Sequence, residues 1–126
     1  MDLATLPTMS ETENPTIFGK ILRGEIPADV VWDDIHCLAF RDIDPKAPQH
    51  ILIIPKRYIP QLSKAREEDR TLLGHLLFVA GEIARQEGFA DEGFRIAIND
   101  GKGGGQEVFH LHVHLMAGRG FAWPPG

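Results

Sequence analysis

Three histidines at alternate positions, His110, His112 and His114, are the residues of this chain best able to do chemistry together. They lie in Phe109-His110-Leu111-His112-Val113-His114-Leu115-Met116, where polar and apolar residues alternate strictly. A period of two predicts a half-buried β-strand over 109–116, with Phe109, Leu111, Val113 and Leu115 on the covered face. The imidazoles then form a row on the other face, about 6.6–6.8 Å apart. A solvated face needs only polar residues, and half of the chain's six histidines within five positions is too concentrated for that. Two chemistries suit the row. His-x-His can place two nitrogens on one zinc, with Cys37 and His50 as further donors, yet no thiolate pair or glutamate stands at a zinc-site spacing. A neutral imidazole is also a nucleophile near neutral pH. Attack at phosphorus needs neighbours that fix the tautomer, a donor for the leaving group, and N–H density around the equatorial oxygens. Gly103-Gly104-Gly105-Gln106, just upstream, offers consecutive backbone amides of the kind that cradle anions.

Local patterning predicts the elements that must position these groups. Thr16 caps a short helix to about Arg23 that buries Ile17, Ile21 and Leu22 and ends at Gly24. Val30–Trp32 and Cys37–Arg41 read as a hairpin turning at Asp33-Asp34, followed by a two-proline loop over 42–48. His50–Pro55 is almost continuously apolar, as a central strand covered on both faces should be. One long helix is predicted from Ser63 to about Glu87, burying Leu72, Leu73, Leu76, Leu77, Ala80, Ile83 and Ala84. Glu67, Glu68 and Asp69 suit its positive end, Gly88 its C-terminus, and Gly74 and Gly81 mark close packing. Phe94–Asn99 is a fourth strand and 109–116 a fifth. This order predicts an α+β fold, an antiparallel sheet with helices on one side. Residues 1–14 read as a disordered polar tail before one domain over 15–126.

Composition narrows the partners. A chain of 126 residues supports one domain, and a formal charge of −5 argues against a nucleic-acid polymer while leaving mononucleotides open. One cysteine, no membrane-length apolar run and no signal-peptide pattern at residue 1 place the chain in the cytoplasm as an expectation.

The pattern Gln106-x-Val108-x-His110-x-His112-x-His114 resembles the signature of the histidine triad (HIT) superfamily. Thr16–Ile21, Glu25–Ala28, Cys37–Phe40, Asp42-Ile43, Ala47-Pro48-x-His50, Ile54–Lys56, Leu72–Leu76 and Trp123-Pro124-Pro125-Gly126 extend the likeness to its Hint branch, the purine nucleoside phosphoramidases. The resemblance implies a HIT-like fold: a five-stranded antiparallel sheet with one long and one short helix, joined in a homodimer into ten strands. It implies attack by His112 on the α-phosphorus of a nucleoside 5′-phosphoramidate, without metal or other cofactor. His114 would contact the phosphate, His110 would orient the row, and His50 would hydrogen-bond His112 from its far side. Asn99, Gly105, Gln106 and the Glu107–Val108 backbone would hold phosphate, and Asp42 the ribose hydroxyls, both of which one carboxylate can accept. Phe18, Ile21, Phe40, Arg41 and Ile43 would surround the base, and Trp123 would approach the partner's site. The chain departs from the family pattern at Glu107, where animal members carry serine, and at Phe109 and Tyr58. Three rival readings are a dinucleoside polyphosphate hydrolase on the same fold, a nucleotide-binding interaction protein with incidental turnover, and a zinc-binding protein.

Overall fold

Strand β3, Gln49–Pro55, is the spine of the fold, described by a computed structural model over residues 14–126. It pairs on one side with β2, Cys37–Arg41, and on the other with β5, Val113–Ala117. Outside these lie β1, Val30–Asp33, and β4, Arg95–Ala97, so the order is β1-β2-β3-β5-β4 with every pair antiparallel. Apolar residues on both faces of β3 match the prediction of a doubly covered strand, and the α+β class holds.

The two helices cover opposite faces, not the single face expected. Cys37, Ala39, Ile51, Ile53, Val113 and Leu115 meet the long helix α2, Arg70–Gln86, through Leu76, Val79, Ala80 and Ile83. The alternate residues Leu38, Phe40, Leu52 and Ile54 meet the short helix α1, Ile17–Leu22, through Phe18. Period-two alternation in β2 and β3 therefore sorts side chains between a core face and a second face closed by α1. Thr16 caps α1 as predicted, its hydroxyl accepting from the Gly19 amide at 3.2 Å. Phe18 is the buried anchor, while Ile17 is exposed.

Several boundaries differ from expectation for identifiable reasons. The helix predicted from Ser63 begins at Arg70, because Asp100 draws the preceding segment toward the glycine loop. Its carboxylate accepts from the Ser63 amide and hydroxyl, and 62–69 forms two 3₁₀ turns. Leu77 is exposed, and Val79 takes the buried place assigned to it. Gly74 and Gly81 are not packed tightly: a Cβ at 74 would meet nothing within 4 Å, and one at 81 only the Arg85 guanidinium. The fourth strand is three residues long, and Asn99 already belongs to the loop, its amide donating to the Gly104 carbonyl. Asn14, assigned to the tail, is 1% exposed and part of the fold; the rest of that tail lies outside the described residues.

The strand expected over 109–116 is shortened most consequentially, to Val113–Ala117. Ladder pairing with β3 stops at Val113–Ile53. Upstream, the Leu111 amide donates to the Ile59 carbonyl at 2.7 Å and the Tyr58 hydroxyl to the Phe109 carbonyl at 3.0 Å. These bonds carry 109–112 off the sheet, leaving Phe109 exposed while Leu111 still reaches the core.

Candidate active site

The site forms on the α1 face, where β3 and β5 run side by side. Register sets Leu52 opposite His114 and His50 opposite Met116, so His50 and His114 are diagonal neighbours on that face. Their rings meet through Nε2 of His50 and Nδ1 of His114 at 2.9 Å. His50 was expected to bond His112; it bonds His114, because the strands that carry these two pair directly while His112 lies beyond the end of β5.

Hydrogen-bond partners assign a tautomer to each neutral ring. The Lys46 amide donates to Nδ1 of His50 at 3.0 Å, so His50 carries its proton on Nε2 and passes it toward Nδ1 of His114. His114 is thereby left with its own proton on Nε2. Nδ1 of His112 lies 2.8 Å from the His110 carbonyl, which can only accept. His112 therefore holds its proton on Nδ1 and keeps the Nε2 lone pair unencumbered. Nε2 of His110 donates to the Pro55 carbonyl at 2.8 Å, and its Nδ1 accepts from the Asn14 amide at 2.6 Å. Burial keeps these rings neutral by disfavouring the imidazolium. It pushes His110 and His114 down to about 4 and lowers His112 and His50, the latter against the pull of the Asp42 carboxylate.

The expected row of three is thus two rings and a support. His112 and His114 line a cavity of about 540 Å³, a size suited to a small ligand. His110 is 0% exposed and sits behind them. The Phe18 ring meets His112 edge-on, 5.1 Å between centroids at 84°, and packs against Phe40 at 5.5 Å.

The remaining sequence candidates divide cleanly. Phe18, Ile21, Phe40 and Ile43 form an apolar wall, and Asp42 stands beside it with Oδ2 3.6 Å from Nε2 of His50. Arg41 lines the same wall, but its guanidinium is tied to Gln49 at 2.6 Å and Glu87 at 2.5 Å. Asn99, Gly105, Glu107 and Val108 also line the cavity. Gln106 does not. It is buried beneath the loop, accepting from the Gly101 amide and donating to the Pro60 and Val108 carbonyls. Trp123, 82% exposed, lies outside this cavity. Sequence reasoning missed Ile26, Pro27, Ala28, Leu52 and the Asp44–Lys46 ion pair, all of which line the cavity. Leu52 was findable, since it shares a strand face with His50.

Comparison with known proteins agrees with this fold. The HIT domain family matches residues 23–121. The chain belongs to the HIT family. It is 60% identical over 111 residues to an uncharacterized HIT-like protein of Synechococcus elongatus, covering 88% of this chain and 96% of that protein. It is 54% identical over 116 residues to a 14 kDa zinc-binding protein of Zea mays, covering 90% of each. Among solved structures, a HIT family hydrolase from Legionella pneumophila superposes with a TM-score of 0.85 at 49% identity, covering 87% of this chain and 98% of that one.

The maize relative's name raises the question of zinc. Among the described residues of this HIT chain, two groups bring three donor atoms together: Asp42 with His50 and His114, and Asp34 with Cys37 and His75. In the first, both His50 nitrogens are already committed. In the second, Asp34 accepts from Trp32, His75 and the amides of His36 and Cys37. Burial and the Asp34 charge push the Cys37 thiol up to about 12. Each set brings three donors together, one fewer than the four of a closed tetrahedral zinc site.

Proposed function

We propose that this HIT protein hydrolyses purine nucleoside 5′-phosphoramidates through a covalent nucleotidyl-histidine. The observation that carries the reading is the His112 tautomer: its Nδ1 proton is held by the His110 carbonyl, and its Nε2 lone pair is free on the cavity wall. In the first step Nε2 attacks the α-phosphorus and the P–N bond breaks. The bonding pair leaves with the amine nitrogen, which takes the Nε2 proton of His114. Water then attacks the same phosphorus, His114 recovers a proton from it, and nucleoside monophosphate is released with His112 restored.

The surrounding groups support the same reading. Phe18, Ile21, Phe40 and Ile43 offer a base an apolar wall, and Asp42 can accept both hydroxyls of a ribose. Asn99, Gly105 and the Glu107–Val108 backbone line the same cavity, which suits them to hold the phosphate. Gln106 serves by holding their loop, and the Arg41 stem only borders the base. We further propose a cytoplasmic homodimer whose two sheets join into ten strands and in which Trp123 approaches the partner's site. Exposed Leu77 and Phe78, the unfilled space at Gly74, and β4 at the sheet edge support such an interface. Among the described residues no helix is long and apolar enough to cross a membrane.

Intact-protein mass spectrometry, quenched in mid-turnover with adenosine 5′-phosphoramidate, tests the proposal. An adenylate adduct is expected on the wild type and not on His112→Asn. Absence of adenosine monophosphate release would overturn it, and faster turnover of a diadenosine polyphosphate would replace it with the dinucleoside polyphosphate hydrolase reading.

A further inference from the structure

Asn14 is almost wholly buried, and every polar atom of its side chain is engaged. Its Oδ1 accepts from the Thr16 amide at 3.0 Å and the Thr16 hydroxyl at 2.8 Å, while its Nδ2 donates to Nδ1 of His110 at 2.6 Å. The Arg23 guanidinium donates to its backbone carbonyl at 2.8 Å. Room for this side chain exists because residue 19 is glycine: a Cβ there would stand 2.5–2.8 Å from Asn14 atoms.

The consequence reaches His112 by a short route. Residues 109–112 precede β5, so no sheet ladder holds the peptide carrying the His110 carbonyl. That carbonyl is what fixes the His112 tautomer. It is held by the Leu111 amide of the same peptide, which donates to the Ile59 carbonyl, and by the His110 ring, pinned between the Asn14 amide on one nitrogen and the Pro55 carbonyl on the other. Lose the Asn14 amide and Nδ1 becomes a buried acceptor without a donor, so the ring is driven to rotate or to exchange its proton.

We propose that Asn14 is a positioning residue for the His112 nucleophile, acting through the ring and carbonyl of His110. This rests on the reading of His112 as nucleophile.

The test combines long-range 1H–15N spectra of 15N-histidine-labelled protein with kinetics on adenosine 5′-phosphoramidate. In the wild type, His112 is expected as a single Nδ1–H tautomer and His110 as Nε2–H. Asn14→Ala is expected to give His112 as a mixture of both tautomers, with kcat down about tenfold and KM changed less than about twofold, as expected for a misaligned nucleophile. Asn14→Asp keeps both Thr16 bonds, and with them the local fold, but sets a carboxylate against Nδ1 of His110. Protonation of that nitrogen is expected, with a similar fall in kcat. Thr16→Ala, which removes the helix cap and spares the Asn14–His110 bond, is expected to lower Tm and leave the tautomers and kcat in place. A single Nδ1–H tautomer of His112 with undiminished kcat in both Asn14 variants would overturn the proposal. So would a kcat loss in Thr16→Ala equal to that in Asn14→Ala. Shifted tautomers in a protein that shows no wild-type turnover would instead count against the phosphoramidase reading.

Discussion

His50 donates from Nε2 to Nδ1 of His114 across 2.9 Å, and its own Nδ1 is occupied by the Lys46 amide. The pair works in one direction only, leaving the outer nitrogen of His114 protonated and able to give. His50→Ala should therefore harm departure of basic amines more than attack at phosphorus. We expect kcat to fall about tenfold further for an alkylamine leaving group than for an arylamine, whose nitrogen leaves without a full proton. Equal losses across a leaving-group series would show that His114 is not the donor.

Burial lowers His112 below the usual imidazole value near 6.5. Activity should persist below that pH and decline only as pH falls through the lowered value, read from the acid limb of kcat/KM. The same burial sets a stability trend. His110 and His114 titrate near 4 when folded, so between about 6.5 and 4 the unfolded chain binds more protons. Their contribution is complete above about pH 6.5 and is lost as pH falls toward 4. Urea midpoints measured from pH 7.5 to 4.5 should decline steadily; a constant midpoint would contradict the assigned burial.

Gln106 carries three hydrogen bonds that tie the glycine loop to Pro60 and Val108. Gln106→Ala should cost about 1–3 kcal/mol of stability, since buried partners are left unsatisfied. It should also raise KM more than it lowers kcat, because the loop and not the nucleophile is loosened. Thermal melts and steady-state kinetics check both.

Phe78 is 61% exposed on α2, beside Leu77 and the open space at Gly74. If this face joins two copies, Phe78→Glu should yield a monomer by sedimentation at micromolar concentration, with the fold intact by circular dichroism. A dimer surviving that substitution would place the interface elsewhere.

What could be read from the sequence were the features decided within a few residues. Thr16 as a cap, the apolar run of β3, the hairpin of β1 and β2, and the proximity of the glycine loop to the histidines all follow from neighbours in the chain. The site's wiring could not be read that way. The partner of His110 lies 96 positions away, and the partner of His50 depends on where β5 begins to pair. Strict alternation over 109–116 signals only that apolar side chains face the core at Leu111, Val113 and Leu115. It is silent on whether the backbone between them is laddered, and departure from the ladder is what separates His110 from the other two. Leu77 was misplaced for a similar reason: helical spacing cannot tell a core-facing leucine from one on a second apolar stripe.

A Cβ at residue 19 would stand 2.5 Å from the Asn14 carbonyl oxygen and 2.7–2.8 Å from its side chain. Any substituent added at 19 evicts Asn14, and any loss at 14 leaves a hollow that glycine at 19 cannot fill. A smaller side chain at 14 leaves that carbonyl oxygen in place, so alanine at 19 also requires the backbone at 14 to shift. Helix α1, which carries Phe18 onto the His112 ring, therefore cannot be redesigned for a new base without also resetting the support behind His110.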